Sequence, residues 1–554
     1  MNMNVRLCNQ LSWFLFLTIS IFLYKGLYEY IAPFVFSIVS FGIIFLLIGR
    51  YKKISYCLMF VYTLIIGFQV AMLCNTEELL MGLVLENVDT ISSLNRDIIC
   101  LYILVCLGYL FVLIILHCFS FPFNRLLVRT KTYACIYVLV VLGIYCLGLF
   151  DGMVNRLPVT SVIKSFYGLI SQMSYTVDEK VIWKQKNLYG KKWVYKNKNE
   201  DNIPNLKNKN IITLFTEGMA LNVIDKFNTY PNLTPNISRF MDKGVWFDNY
   251  YNHTATTYRG IRGQLTSSYQ YKGVGYYENE EMSMNSSSNE NKVINLVSIL
   301  KDKGYHTYFL SAHLGKHKFN DYIKRMGFDK VFVADDFINE DNNLADSQLF
   351  ESLRKLMSSG ELKEPYFIAT YNWGTHYNEK SPYWIYLKNG KEVNELVNVM
   401  HNYDIEFGKF INWFDSSAEI NDNTYIILTS DHMTYPDKVY VDTFNDKIRL
   451  LNCITGRIPL ILYGKDVEHK VIDAKGKNSL DFAPTLLNWL RINDAKNYFL
   501  GCSLYDEKCH HPFEYIYAMS DFYYYNNCYP VQPIGRGLEY IKKIKDFYNF
   551  SNAL

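Results

Sequence analysis

The sequence has no strong excess of either charge. Its 56 basic and 53 acidic residues leave a formal net charge of +3. That balance gives no general reason to expect a nucleic-acid partner. No internal repeat is visible. No small-residue cleavage site follows the first apolar run, and further runs succeed it, which argues against a removed signal peptide. The cluster Cys509-His510-His511 lacks the paired spacing usual for a metal site. Cysteines are sparse in the second half, with Cys453, Cys502, Cys509 and Cys528. In an oxidising compartment Cys502–Cys509 is a plausible bridge. The eight cysteines of the first half read most simply as small apolar residues.

What the chain does have is grease at one end. Hydrophobic residues make up 50% and aromatics 16%, helped by 46 tyrosines. A mean hydropathy of -0.03 hides a strong asymmetry. Before residue 151, apolar runs fall at about 11–27, 30–48, 56–73, 98–119 and 133–150. Each approaches the roughly 20 residues that a helix needs to cross a bilayer. Buried helices of a soluble domain are the alternative, and five in succession argue against it. Arg6, Arg50, Lys52, Lys53, Arg125, Arg129 and Lys131 fall on one side of these spans. Glu77, Glu78, Glu86 and Asp89 fall on the other. The bias of basic residues puts the N-terminus inside. An odd number of spans then puts everything after Phe150 outside, and an even number would reverse this.

Residues 151–208 read as a connector. Val159–Met173 has the helical apolar spacing of a segment lying on a membrane surface. A Lys/Asn-rich linker follows. From Asn210 short apolar strands alternate with amphipathic helices. Strands are expected at Ile211–Phe215, Thr307–Ser311, Tyr366–Tyr371, Tyr425–Thr429 and Leu460–Tyr463. Helices are expected at Ala220–Phe227, Val293–Lys301, Val397–Phe414 and Leu480–Leu490. This is the pattern of an α/β sheet, whose ligands gather at the carboxyl ends of strands.

The residues of interest fall at those ends. Glu217 closes Ile211-Ile-Thr-Leu-Phe-Thr-Glu217. Asp431-His432 closes Tyr425-Ile-Ile-Leu-Thr-Ser-Asp431-His432. Two carboxylates and an imidazole suit a divalent metal, Zn²⁺ or Mn²⁺. Ordinary strand-end polar residues capping helices are the alternative. The segment Thr254-Ala-Thr256-Thr257-Tyr-Arg-Gly offers hydroxyls that a metal could activate for attack on phosphorus. A Thr-rich turn capping a helix explains the same residues. His376, in Asn372-Trp-Gly-Thr-His376, could protonate a leaving group or bind phosphate, or simply hold its loop. His313 and His317 are weaker candidates of the same kind.

Several blocks taken together resemble the alkaline phosphatase superfamily in its sulfatase-like branch. They are Asn210-Ile-Ile-Thr-Leu-Phe-Thr-Glu217, Thr234-Pro-Asn-Ile-Ser-Arg-Phe-Met-Asp-Lys-Gly-Val-Trp-Phe-Asp-Asn-Tyr-Tyr251, Thr429-Ser-Asp-His432, Arg457-Ile-Pro-Leu-Ile-Leu-Tyr-Gly464 and Ser479-Leu-Asp-Phe-Ala-Pro-Thr-Leu-Leu487. The resemblance covers roughly residues 209–491. It implies an N-terminal five-helix transmembrane domain at 1–150, a connector at 151–208 and a sulfatase-like α/β catalytic domain at 209–554. Sulfatases carry a Cys/Ser-x-Pro-x-Arg motif, and this chain has threonine there and no such proline. Threonine is what lipoteichoic acid synthases and phosphoethanolamine transferases use. The paired cysteines usual near the nucleophile of the latter are missing.

The resemblance therefore implies an extracytoplasmic, membrane-integral transferase of a bacterial inner membrane. It would move a phospho-headgroup, phosphoethanolamine first and phosphoglycerol second, from a membrane phospholipid. The acceptor would be lipopolysaccharide or another surface glycan, reached through a phosphothreonine. A membrane-anchored sulfatase-like hydrolase or phosphodiesterase is the remaining alternative. The resemblance further implies Thr257, or Thr256, as nucleophile. Glu217, Thr257, Asp431 and His432 would form the metal shell, and His376 and His313 would bind substrate.

Overall fold

The computed structural model describes residues 18–24, 27–48, 52–76, 157–159, 162, 192–193, 203–254, 257–269, 294–340, 342–376, 379–444, 455–497, 499–506, 516–518, 522–526 and 529–531. The chain divides into two compact units, Met1–Tyr175 and Thr176–Leu554.

The first unit contains helices α1, Tyr28–Ile48, and α2, Lys52–Thr76. They contain the second and third apolar runs. Phe34, Ile38, Ile66, Val70 and Leu73 are buried between the described parts. Phe22 meets Phe34 edge to face at 4.8 Å, and the hydroxyls of Ser37 and Tyr62 lie 3.2 Å apart. Among the described residues, no helix is long and apolar enough to cross a membrane. Side chains are described for only part of α1 and α2. The runs at 98–119 and 133–150 and nearly all of Val159–Met173 lie outside the described residues.

The second unit is built on an eight-stranded sheet. Its strands, numbered within this sheet, are β1 Asn210–Thr216, β2 Val245–Asp248, β3 His306–Ser311, β4 Lys330–Phe332, β5 Tyr366–Tyr371, β6 Thr424–Ser430, β7 Leu460–Tyr463 and β8 Lys470–Asp473. The spatial order is β8-β2-β7-β6-β1-β5-β3-β4. Only β7 runs against its neighbours. Every residue of β1, β5 and β6 is buried, as expected of parallel strands covered on both faces. All five expected strands form.

Two helix groups cover the sheet. In one, α3 (Pro235–Lys243) and α6 (Asp346–Ser358) pack on α7 (Glu395–Ser416). In the other, α4 (Thr257–Thr266) packs against α5 (Leu296–Asp302) and α8 (Phe482–Trp489). Helix α5 starts three residues later than its periodicity predicts, because Asn295 caps it by accepting the amide of Ser298.

The helix expected at Ala220–Phe227 does not form. Two single 3₁₀ turns, Leu221–Val223 and Asp225–Phe227, are split by extended Ile224. The physical reason is a competing local bond. Asp225 accepts the amide of Thr234 at 2.6 Å and donates its own amide to the Thr234 hydroxyl at 3.1 Å. That clasp holds the turn open, and Asp prefers such bonds to a helix interior.

Helix α3 is capped from outside its own sequence. Thr234 makes no side-chain cap. Instead Asp404 of α7 accepts the amides of Asn236 at 3.1 Å and Ile237 at 2.7 Å. The helices approach closely because Gly408 has no side chain: a Cβ there would stand 2.3 Å from Asn236. Asp404→Ala would leave two donors unpaired, the buried amide of Ile237 and the part-buried amide of Asn236. Stability should fall by about 2 kcal/mol, seen as a lower urea midpoint for this unit; an unchanged midpoint would show that water caps α3 equally well.

Candidate active site

Four neighbouring strands, β6-β1-β5-β3, end at the same edge of the sheet. Thr216 stands in register with Ser430, and Phe215 and Ser311 both pair with Tyr371 at their level. The next residues therefore emerge together: Glu217 from β1, Asp431 from β6 and Asn372 from β5. This is the edge at which open α/β sheets bind ligands.

Glu217, Asp431 and His432 each offer a ligand atom, all within 4.8 Å of one another. That spacing suits one ion with ligands roughly 2.0–2.2 Å away. Asp431 is fully buried. Its Oδ1 accepts the amides of Gly218 at 2.9 Å and His432 at 2.7 Å, while Oδ2 has no hydrogen-bond partner. His432 donates Nδ1–H to the carbonyl of Met433 at 2.7 Å. Its Nε2 then points at Glu217 Oε1 (3.4 Å) and Asp431 Oδ2 (3.5 Å). A histidine fixed in this way presents its other nitrogen as a ligand. The orphaned Oδ2 and the oriented Nε2 fit a divalent cation.

The electrostatics agree. Burial raises the Asp431 carboxyl to about 8, helped by the charge of Glu217. Burial also opposes ionisation of Glu217, but His432, His376 and the Thr257 hydroxyl outweigh it and hold its carboxyl well below the usual range. Burial alone would lower His432, and the charges of Asp431 and Glu217 overcome it to raise the imidazole to about 10. The cluster thus keeps protons where a cation would replace them.

A second layer fixes these groups. Asn372 accepts the amide of Glu217 at 2.8 Å, and Thr375 donates to its carbonyl at 2.7 Å. Asn372 in turn donates to Asp346 (3.1 Å), which also accepts from Asn402 (3.1 Å). Gly218 takes φ +57, a left-handed conformation glycine adopts freely.

Thr257 opens helix α4 and donates its hydroxyl to Glu217 Oε2 at 2.7 Å. Tyr371 donates to the same oxygen at 2.7 Å. Gly260, one turn along, lies against the end of β6: a Cβ there would be 2.2 Å from the carbonyl oxygen of Asp431. Thr256 lies outside the described residues.

His376 stacks on Trp373 at 3.9 Å, Trp373 meets His313 at 4.9 Å, and His313 stacks on His317 at 3.9 Å. The rings form one wall beside Glu217. His313 is buried, and burial pushes its imidazole well below the ordinary value, with His317 and His376 adding to this.

Sequence reasoning brought forward every member of the triad together with Thr257, His313 and His376. It missed Tyr371, Asn372, Thr375, Gly260 and Asp346. Asn372 and Thr375 stand in the same short motif as His376, so their position after a strand was the available signal. Asp346 carries no local signal. The expected Cys502 bridge has a partial counterpart: Cys502 is disulfide-bonded, and Cys509 lies outside the described residues.

A family model described as sulfatase matches residues 209–492. A comparison with curated proteins returns no match. Among solved structures, the chain is similar to a protein in the alkaline phosphatase superfamily from Vibrio parahaemolyticus, with 18% identity and a TM-score of 0.52. That alignment covers 68% of this chain and 97% of the other. It is also similar to the lipoteichoic acid synthase LtaP from Listeria monocytogenes, with 16% identity and a TM-score of 0.50, over 67% and 97% of the two chains. These likenesses speak to the fold.

Metal binding should be pH-dependent. Asp431 holds its proton below about 8 and His432 below about 10, and each binds a metal in its deprotonated form. Affinity should therefore strengthen as pH rises through 7 and on past 8, by up to about tenfold per unit for each proton displaced. Competition against a fluorescent chelator measures this, with Asp431→Asn expected to bind no metal. A pH-independent affinity would contradict the protonated cluster.

Proposed function

Since the chain belongs to the sulfatase family, matched over residues 209–492, we propose that it is a metal-dependent transferase of phospholipid headgroups, working through a phosphothreonine on Thr257. The observation that carries this reading is the 2.7 Å bond from the Thr257 hydroxyl to Glu217. It places an alcohol, a weak nucleophile until it is activated, against the carboxylate–histidine cluster.

Glu217, Asp431 and His432 would hold the ion, with Thr257 as a further donor. A bound divalent cation supplies Lewis acidity, lowering the hydroxyl's pKa and balancing charge on the phosphoryl group. The chain's own residues do the rest. Glu217 Oε2 accepts from Thr257 and Tyr371, so the threonine oxygen is aimed before substrate arrives. With its carboxyl held so low, Glu217 serves as acceptor and ligand rather than as a base. His376, on its tryptophan shelf, is assigned to the phosphate and to proton transfer.

In the first half-reaction Thr257 Oγ bonds to phosphorus and the bond from phosphorus to the glycerol oxygen breaks. The proton lost by Thr257 is balanced by the one the departing diacylglycerol gains. In the second, an acceptor hydroxyl attacks the phosphothreonine, and Thr257 leaves with a proton. We take the acceptor to be lipopolysaccharide or another surface glycan. We take the group to be phosphoethanolamine, with phosphoglycerol requiring no change at phosphorus. A threonine cannot be converted to formylglycine, which weighs against sulfate ester hydrolysis.

We also place the catalytic unit outside the cytoplasm of a bacterial inner membrane, behind five spans within residues 1–150 and the connector at 151–208. The apolar runs and the bias of basic residues support this. So does the disulfide at Cys502, which suits an oxidising compartment.

Thr257→Ala should abolish transfer and leave the unfolding profile intact. Mass spectrometry of the wild type should find the transferred group on Thr257, and its mass identifies that group. Full activity in the variant would move the role to Thr256 or end the covalent mechanism.

A further inference from the structure

Between the His376 turn and helix α7 the chain makes a small hairpin with strands Leu387–Lys388 and Lys391–Glu392. Asn389 and Gly390 close it with φ of 54° and 75°, the left-handed pair that matches the twist of a tight hairpin. Its inner side is pegged down. Tyr386 is buried and packs with Leu233 and Val397. It donates its hydroxyl to Pro231 O at 2.8 Å and its amide to Asn398 at 3.0 Å.

Its outer side is apolar and open to solvent. Tyr383 is 68% exposed, Trp384 39%, Ile385 54% and Leu387 58%. Among the described residues of this unit, the other exposed large apolar side chains are the scattered Val439 and Val471. Such clustering marks an interaction site rather than ordinary surface. The tip is also braced against collapse. Trp384 donates its indole N–H to Glu406 at 2.8 Å, and the Lys409 ammonium lies 5.0 Å over its ring.

The surrounding charges indicate the occupant. Lys380 and Lys391 are exposed, Lys388 places its ammonium 4.0 Å over Tyr230, and Lys409 is paired with Glu406 at 2.8 Å. Of the acids nearby, Glu406 is neutralised by Lys409, while Glu379 and Glu392 are held to the fold by the Trp373 indole and the Asn398 amide. Tryptophan and tyrosine beside aliphatic side chains, ringed by lysines that can reach phosphates, match the headgroup–acyl boundary of a bilayer.

We propose that residues 383–387 are a membrane-docking tip that rests in the interfacial layer of a phospholipid bilayer. The inference rests on the reading of a phospholipid donor. It adds how that donor is met, because the tip continues from the Trp373–His376 wall after only a few residues.

The test uses the full chain reconstituted in vesicles with anionic phospholipid. The emission difference between wild type and Trp384→Phe isolates one indole. Brominated lipid should quench that component; failure to quench it, whatever aqueous acrylamide does, overturns the proposal. A triple variant, Tyr383→Ser with Ile385→Ser and Leu387→Ser, gives a second arm. Its turnover of a bilayer-embedded donor should fall roughly tenfold, with turnover of a short-chain, monomeric phospholipid unchanged. Equal losses on both donors would count against docking. A wild type inactive on every phospholipid would sink the transferase reading, and the quenching result would still decide the tip.

Discussion

Glu217 and Asp431 carry two carboxyl groups held side by side out of water, and the fold is organised around that arrangement. Their ligand oxygens lie within 4.8 Å of one another, and at an effective dielectric of about 20 two unit negative charges there would repel by roughly 3 kcal/mol or more, which, with burial, is why Asp431 holds its proton in the absence of a cation. The protein does not relieve this by exposure, since both residues are buried. It supplies an oriented imidazole instead, and leaves one oxygen of Asp431 without a hydrogen-bond partner. A site of this kind favours a cation more strongly than any of its residues would alone.

Rigidity follows from the same need. The carboxylates stay together because they leave adjacent parallel strands one residue past a shared register. Their main chains are then pinned from the neighbouring strand by Asn372 and Thr375. Behind these, Asp346 and Asn402 tie the turn to α6 and α7. The helices that carry Asp346 and Asn402 thus also help to position Glu217 on β1. Supporting residues of this depth matter because a ligand shell depends on the bonds that orient it.

Much of this was legible in the sequence. The strands ending in Glu217 and Asp431-His432 are short runs of apolar and β-branched residues, the pattern that parallel strands buried on both faces show. The triad follows because ligands collect where such strands stop. The segment at Ala220–Phe227 was misread because its apolar spacing is helical, while the deciding bond runs from Asp225 to Thr234. Tyr371 was hidden inside a strand whose residues looked uniformly like core. Asp346 begins an ordinary amphipathic helix, and only tertiary packing brings its carboxyl to Asn372. The disagreement is therefore one of range: local patterns carry elements and their ends, whereas the bonds that aim those ends connect residues far apart in the chain.

The contact between Gly260 and the carbonyl of Asp431 is a matter of spacing. A Cβ at 260 would stand 2.2 Å from the Asp431 carbonyl oxygen, so the absent side chain acts as a spacer of zero thickness. Together with the bond from Thr257 to Glu217 it sets how closely the start of helix α4 comes to the ends of two strands. Any side chain at 260 would lift Thr257 away from the cluster it addresses.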